Sequence, residues 1–392
     1  MAIPWAQAQT YNILHNFTGG LDGLQPWAGL TLDQTGNLYG TTFEGGRTGN
    51  GTVFKLSHES SSWIFSPLYN FNGGNDAHAP QARVIFGPDG TLYGTTYAGG
   101  NNGCEGVGCG AVFNLKPTPT APPTALTPWI ETVLYRFTGR ADGSGPGYGD
   151  LVFDQAGNLY GTTIYGGNNQ DGVVYELSPS GGGWTESVLY SFTGKQDGSN
   201  PYSGVIFDQA GNLYGTNTTG LDAYGRVYQL TPSGPPWIEH SLYGFTGGND
   251  GAYPVGGVIF DQSGNLYGTT NSIAYGGGGT IFELKPSTGG WMFNLLYSFT
   301  GNTLQGPYSS LAMDAAGNLY GTTYGEGAYS LGSVFKLTPS VGSWIYTDLH
   351  DFSGSDGQNP VGGVVLDASG NLYGTASKGG AHGDGVVWEI TP

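Results

Sequence analysis

The sequence is poor in charge, sulfur and helix. Only 10% of its 392 residues are charged, with 11 Lys and Arg against 29 Asp and Glu and a formal net charge of −18. A chain so short of cations repels phosphate backbones and anionic lipid surfaces, which argues against nucleic acid or a membrane surface as partner. With two cysteines and six histidines, the four ligands of a structural zinc site at their usual spacing are missing. No apolar run approaches the roughly 20 residues that span a bilayer, and no stretch carries helical periodicity. There is no Gly-x-Ser-x-Gly elbow, no P-loop and no dinucleotide fingerprint leading into a helix. Glycine stretches such as 276–279 fall between strands and do not read as phosphate cradles.

What is present in excess is glycine, 74 residues, and aromatics, 14% of the chain. Collagen is excluded because glycine has no three-residue period, and disorder because the aromatics are too many. The two classes alternate in a repeat. Gly-Asn-Leu-Tyr-Gly-Thr-Thr stands whole at 36–42, 157–163, 264–270 and 317–323, with variants at 90–96, 211–217 and 370–376. Its tyrosines are Tyr39, Tyr93, Tyr160, Tyr214, Tyr267, Tyr320 and Tyr373.

Each repeat reads as four short strands. In the fourth copy, Gly204-Val205-Ile206-Phe207-Asp208 is an apolar run and Gln209-Ala210-Gly211-Asn212 a turn. Leu213-Tyr214-Gly215-Thr216 is the second strand, 225–230 the third, and 237–245 the fourth. Such units at regular spacing predict an all-β, seven-bladed β-propeller with four antiparallel strands per blade. The chain starts on a fourth-strand motif, Tyr11-Asn12-Ile13-Leu14-His15-Asn16-Phe17-Thr18, and stops after a third strand, Val387-Trp388-Glu389-Ile390. The N-terminal strand is therefore expected to complete the last blade, in one propeller domain over 10–392. Residues 1–9, with Ala6-Gln7-Ala8, read as the end of a trimmed leader or as a disordered tail. The Pro-rich stretch 117–128 accounts for the one long interval and is expected to be an extended surface excursion.

Two readings are open for Cys104 and Cys109: a loop disulfide or two free thiols. A close pair in a Gly-rich loop favours the disulfide, and with it an oxidising compartment.

In a propeller, the loops from fourth to next first strand share a face with those from second to third, around the mouth of the central channel. The Asp-x-x-Gly-Asn turns of the opposite face are nearly uniform and read as folding chemistry. Asp33, Asp154, Asp208, Asp261, Asp314 and Asp367 recur there, with Gly87 and Asp89 in the second copy. Calcium is an alternative at these aspartates, but the EF-hand spacing is absent and a side chain capping its own turn explains them.

The lead-in to the first strand varies from copy to copy. Trp27, Tyr148, Tyr202 and Tyr308 are expected at the channel mouth, where Val255 and Val361 stand in two other blades. Such rings either stack on a sugar or flat ligand, or plug the channel and pack on neighbouring blades. Arg83 and Asp150 fill a position held by Gly or Ser elsewhere, which predicts an ion pair, or a substrate anchor or acid–base group. His78 and His382 on the same face offer a remote two-His site. Glu44, Glu326, Lys378 and Asp384 are second-to-third-loop charges, either solvated or, for the carboxylates, a candidate pair for glycoside hydrolysis. Asn16, Asn50 and Asn217 begin sequons, meaningful only in a eukaryotic secretory host.

Beyond these residues, Gly-Asn-Leu-Tyr-Gly-Thr-Thr, a Gly-Gly loop and then Gly-x-Val-Phe-x-Leu, as at 51–56 and 332–337, resemble the GloVer (Gloeobacter/Verrucomicrobia-type) tandem-repeat family of bacterial surface proteins. The resemblance runs from Tyr11 to Pro392; the Asp-x-x-Gly-Asn-Leu-Tyr core is also similar, more loosely, to NHL-type propeller repeats. The family implies export, often with a sorting or anchoring tail that is not seen before Pro392, and it brings no catalytic residues. Three functions are thus in view. The first is a secreted, non-catalytic binding or surface-assembly module, most plausibly for carbohydrate. The second is an extracellular polysaccharide hydrolase or lyase using Arg83 and Asp150. The third is a self-assembling surface or fibre protein, with light scattering as the discriminator.

Overall fold

The computed structural model describes residues 9–392 apart from 60–61, 119–128, 221–223, 274–276 and 302–304. The leader reading and most of the Pro-rich excursion lie outside the described residues. The rest forms seven four-stranded antiparallel sheets, the blades of a propeller. The only helical turn among the described residues is Cys104–Gly106. In blade 1 the strands are Thr31–Leu32, Leu38–Thr42, Thr52–Glu59 and Ser62–Asn70, from the channel outwards. The second strand of every blade, the Leu-Tyr-Gly-Thr-Thr segment or its variant, is buried throughout.

Ring closure is the one predicted from the chain ends. Thr10–Asn16 lies antiparallel to Val386–Thr391 as the fourth strand of blade 7, with Tyr11 opposite Ile390 and Ile13 opposite Trp388. Every third–fourth strand pair carries a bulge at one leucine: Leu14, Leu68, Leu134, Leu189, Leu242, Leu296 or Leu349. The extra residue re-aims the side chains after it, so the Tyr or His and the Phe that come next turn toward the adjacent blade.

Neighbouring blades are held at two depths. Near the channel, a threonine hydroxyl of the second strand donates to a carbonyl of the next blade's lead-in in every blade but the second. Thr41 reaches Ala82, Thr162 Ser203, Thr216 Gly256, Thr269 Ser309 and Thr322 Gly362, at 2.8–3.2 Å. Across the seam Thr375 reaches Ala28 at 2.8 Å, so the closing joint has the chemistry of the others. Further out, the repeat tyrosine meets an aromatic edge of the next blade: Tyr39 meets Phe86, and Tyr93 meets Phe153 and Trp184.

The Asp-x-x-Gly-Asn turns cap themselves. Asp33 accepts from the amides of Thr35 and Asn37 (2.8 and 2.9 Å), from Asn37 Nδ2 (2.8 Å) and from the Tyr39 hydroxyl (3.2 Å). Burial works against the charge of Asp33, but these bonds outweigh it and hold the carboxyl below its usual range. The same set recurs at Asp154, Asp208, Asp261, Asp314 and Asp367. In blade 2 the role moves to Asp89, which accepts from Thr91 and Tyr93. Gly87 is needed in the vacated place, because a Cβ there would lie 2.3 Å from the Tyr93 ring.

Cys104 and Cys109 are joined by a disulfide. It packs with Phe137 and Tyr135 in the core between blades 2 and 3. Among the described residues, no helix is long and apolar enough to cross a membrane.

Candidate functional site at the channel mouth

The lead-ins to the first strands are set by backbone geometry before any side chain is considered. Gln25, Ala79, Asn200, Tyr253 and Asn359 all have φ of 53–60° and each is followed by proline. A non-glycine residue there is held against its preference. The strain is met by pinning on both sides: the Ala79 amide donates to Asn50 O, and its carbonyl accepts from Tyr97 N. The proline then delivers the next residue to the mouth: Trp27, Gln81, Tyr202, Val255 or Val361.

Three of the four expected rings converge. Trp27 of blade 1 stacks on Phe43 at 4.6 Å, nearly parallel, and faces Tyr148 of blade 3 at 6.3 Å. Tyr148 also touches Tyr97 at 6.2 Å and Tyr202 of blade 4 at 5.1 Å. Rings from blades 1 and 3 thus meet over Gln81 of blade 2, which is buried. The rings pack on one another, as the second reading of the rim expects, and each keeps a partly exposed face. Burial, then the nearby Tyr97 hydroxyl, pushes the Tyr148 phenol up to about 12, with lesser contributions from Tyr165 and Tyr308. Tyr308 itself packs on Tyr324 at 5.1 Å.

Just below, the wall is glycine or serine because adjacent lead-ins nearly touch. A Cβ on Gly204 would lie 2.1 Å from Asp150 O, and one on Gly29 3.0 Å from Gly363 O. Only blades 2 and 3 place charge here. Arg83 Nη2 lies 2.7 Å from Asp150 Oδ2, and the Arg83 amide donates to Asp150 Oδ1 at 3.1 Å. Both side chains are about two-fifths exposed (38% and 40%). At this joint Thr95, the counterpart of the clasping threonines, makes no hydrogen bond to the described residues, and the ion pair stands in its place.

The other candidates stay dispersed. His78 pairs through its backbone with Ala98 and is half-buried, and burial lowers its pKa. His382 is exposed in blade 7. Glu44 pairs through its backbone with Leu24, Lys378 with Gln358, and Asp384 with Gly379. Glu326 accepts from the Gly301 amide at 3.1 Å, and burial raises its pKa. No cluster of three or more His, Cys, Asp or Glu with metal-binding geometry occurs among the described residues.

Sequence reasoning missed two sets. Phe43, Tyr97 and Tyr324 line the mouth and each stands directly after Leu-Tyr-Gly-Thr-Thr, a signal that was readable. A second series of aspartates was also missed. Asp22, Asp142, Asp197 and Asp250 each accept from the threonine four residues earlier, and from a His or Tyr of the fourth strand. The Phe-Thr-x-x-x-Asp spacing that marks them is plain in the sequence.

The fold and mouth define a seven-bladed propeller with an aromatic, ion-paired channel opening. The repeat then places it: the Gloeobacter/Verrucomicrobia repeat profile matches residues 5–223, 108–306 and 218–392, and the chain belongs to that family. None of the curated protein sequences matches it. Among solved structures, the fold is similar to a polysaccharide lyase of family PL25, an ulvan lyase bound to -[GlcA(1-4)Rha3S]-. The TM-score is 0.54 at 10% identity, covering 94% of this chain and 93% of that one. It is also similar to a candidate 6-phosphogluconolactonase from Bacteroides uniformis, with TM-score 0.50 and 14% identity over 82% of this chain and 83% of that one. At such identities the likeness is one of fold.

Proposed function

We propose that the protein is a secreted propeller that binds neutral carbohydrate at the channel mouth. The observation that carries this reading is the partly exposed Trp27–Tyr148–Tyr202 cluster beside the Arg83–Asp150 pair. Aromatic faces cover the apolar side of a sugar ring, while a guanidinium donates to, and a carboxylate accepts from, its hydroxyls. The net charge of −18 disfavours polyanionic chains, so a neutral glycan fits better than a sulfated or uronate-rich one. A polysaccharide-bound propeller of the same fold makes glycan the ligand class to test first. The disulfide suits an extracellular setting.

Both Asp150 oxygens are engaged by Arg83, which suits an anchor better than a general acid or base. A glycan array and then calorimetry test the reading. Trp27→Ala and Tyr202→Ala are each expected to weaken binding about tenfold or more, some 1.4 kcal/mol. Binding to no glycan, or unchanged affinity in both variants, would reject it.

A further inference from the structure

The outer layer of the blade joints divides the ring in two. One fourth-strand position, opposite a third-strand Leu or Ile, faces the preceding blade all round the ring. It is held by Phe65, Glu131, Glu186, Glu239, Phe293, Tyr346 and Tyr11. At four joints this residue stacks on a ring of the blade before it. His15 lies on Phe65 at 4.1 Å, Tyr243 on Phe293 at 4.6 Å, Tyr297 on Tyr346 at 4.3 Å and His350 on Tyr11 at 3.8 Å, all within 16° of parallel.

At the three consecutive joints from blade 1 to blade 4 the stacking ring is replaced by a glutamate. Glu131, Glu186 and Glu239 face Tyr69, Tyr135 and Tyr190, whose hydroxyls donate to Asp76, Asp142 and Asp197 at 3.0–3.1 Å. The Oε1 atom of each glutamate is buried and bonded to none of the described residues. The third of these joints is open as a cleft of about 630 Å³, lined by Tyr190, Lys195, Asp197, Glu239 and Ser241 among others.

We propose that these three joints make the arc from blade 1 to blade 4 a proton-operated hinge. With Glu131, Glu186 and Glu239 protonated the arc stays packed, and with them ionised beside Asp76, Asp142 and Asp197 it loosens while the four stacked joints hold. The groups facing each carboxyl support this. Around Glu131, burial and Asp76 raise the pKa against Arg136; around Glu186, burial and Asp142 raise it. Around Glu239, burial and Asp197 raise it against Arg226. All three carboxyls are pushed up to about 7. The tyrosines packed on them (Tyr69; Tyr135 and Tyr175; Tyr190 and Tyr228) stay neutral, their own pKa values raised by burial. Lys195 stands across the third cleft. The arc carries Trp27, Arg83, Tyr148, Asp150 and Tyr202, so its loosening reaches the mouth whatever the mouth binds.

Proton counting gives the sign. An unfolded glutamate releases its proton near pH ~4.3, whereas these folded ones hold theirs to about 7. The folded state binds more protons in that window, so stability falls as pH rises through it. Burial lowers the pKa of His15, His78 and His350, which act in the opposite sense below pH ~6.5. Asp348, pushed up to about 6 by burial and Asp351, acts in the same sense as the glutamates.

Calorimetric melting of the wild type and of E131Q/E186Q/E239Q from about pH 5 to about pH 8 cancels the shared groups. The wild type is expected to lose roughly 5 °C or more relative to the variant across the range. Equal slopes would overturn the proposal. If the triple variant does not fold, E239Q alone is expected to remove about a third of the slope, and an unchanged slope there counts equally against it. Hydrogen exchange, corrected for its intrinsic pH dependence, locates the effect. Fourth strands of blades 2–4 should open faster at high pH than those of blades 5–7, and uniform opening would reject the hinge.

Discussion

A chain beginning at Phe17 is expected not to form a stable ring. The truncation removes a seven-residue strand, Thr10–Asn16, and leaves Val386–Thr391 as a naked edge. It also removes the Tyr11–His350 stack at 3.8 Å and the bond from the Tyr11 hydroxyl to Asp356 O at 2.6 Å. Phe17 then becomes the chain end. It is 0% exposed in the intact ring and packs edge-on to Phe54 and Phe65 of blade 1, so the strand that positions it fixes the contact between blades 7 and 1. Losing a buried phenylalanine alone costs about 3–5 kcal/mol, which is a large share of a typical folding free energy of roughly 5–15 kcal/mol. The truncated chain is therefore expected to melt more than about 10 °C lower, and to aggregate through its open edge. A peptide spanning 9–18, added in trans, should restore part of the loss by strand addition. An unchanged melting temperature in the truncated chain would mean that the ring is not held shut by its first strand.

The sequence carried the repeat, the blade and this clasp because they rest on short-range chemistry. An Asp-x-x-Gly-Asn turn is capped by its own residues, as at Asp33, so its recurrence in six of the seven copies is enough to read it. The terminal strand was legible for the same reason: Tyr11 to Thr18 repeats the ending of every other fourth strand. What stayed hidden depends on how blades meet. Trp27 and Tyr148 belong to blades 1 and 3, and nothing along the chain says that their rings approach to 6.3 Å over the smaller Gln81. Phe65, Glu131, Glu186 and Glu239 share one register position, opposite a third-strand leucine, and what it packs against is set by the neighbouring blade. Each stands three residues before the leucine of its own strand's bulge, so the position can be aligned along the chain, but that it faces the preceding blade cannot be read there. His78 drew notice as half of a two-His site and Lys378 as a loop charge, yet their backbones serve the small pairings that bind each lead-in to its neighbouring loop.

Gly321→Val is expected to be strongly destabilising. The glycine of Leu-Tyr-Gly-Thr-Thr lies directly opposite the largest third-strand side chain in every blade. The pairs are Gly40 with Phe54, Gly94 with Phe113, Gly161 with Tyr175, Gly215 with Tyr228, Gly268 with Phe282, Gly321 with Phe335 and Gly374 with Trp388. The far end of that side chain covers the missing one: a Cβ would fall 2.3–2.6 Å from it in all seven. At Gly321 that atom would be 2.6 Å from Phe335 Cζ and 3.1 Å from Leu311 Cδ2, both in buried side chains with little room to move. The glycine thus supplies space between strands, since its φ is that of ordinary extended chain. Overpacking a fixed core costs about 1–3 kcal/mol per small insertion, and valine adds three carbons, so a melting temperature lower by roughly 10 °C is expected. Two comparisons isolate the cause. Gly289→Ala, on a turn with nothing within 4 Å of the new Cβ, should be neutral or slightly stabilising. Phe335→Ala, destabilising on its own, should cost less when Gly321→Val is present, because each change makes room for the other. If the two substitutions simply add, the glycine is there for some reason other than the ring that covers it.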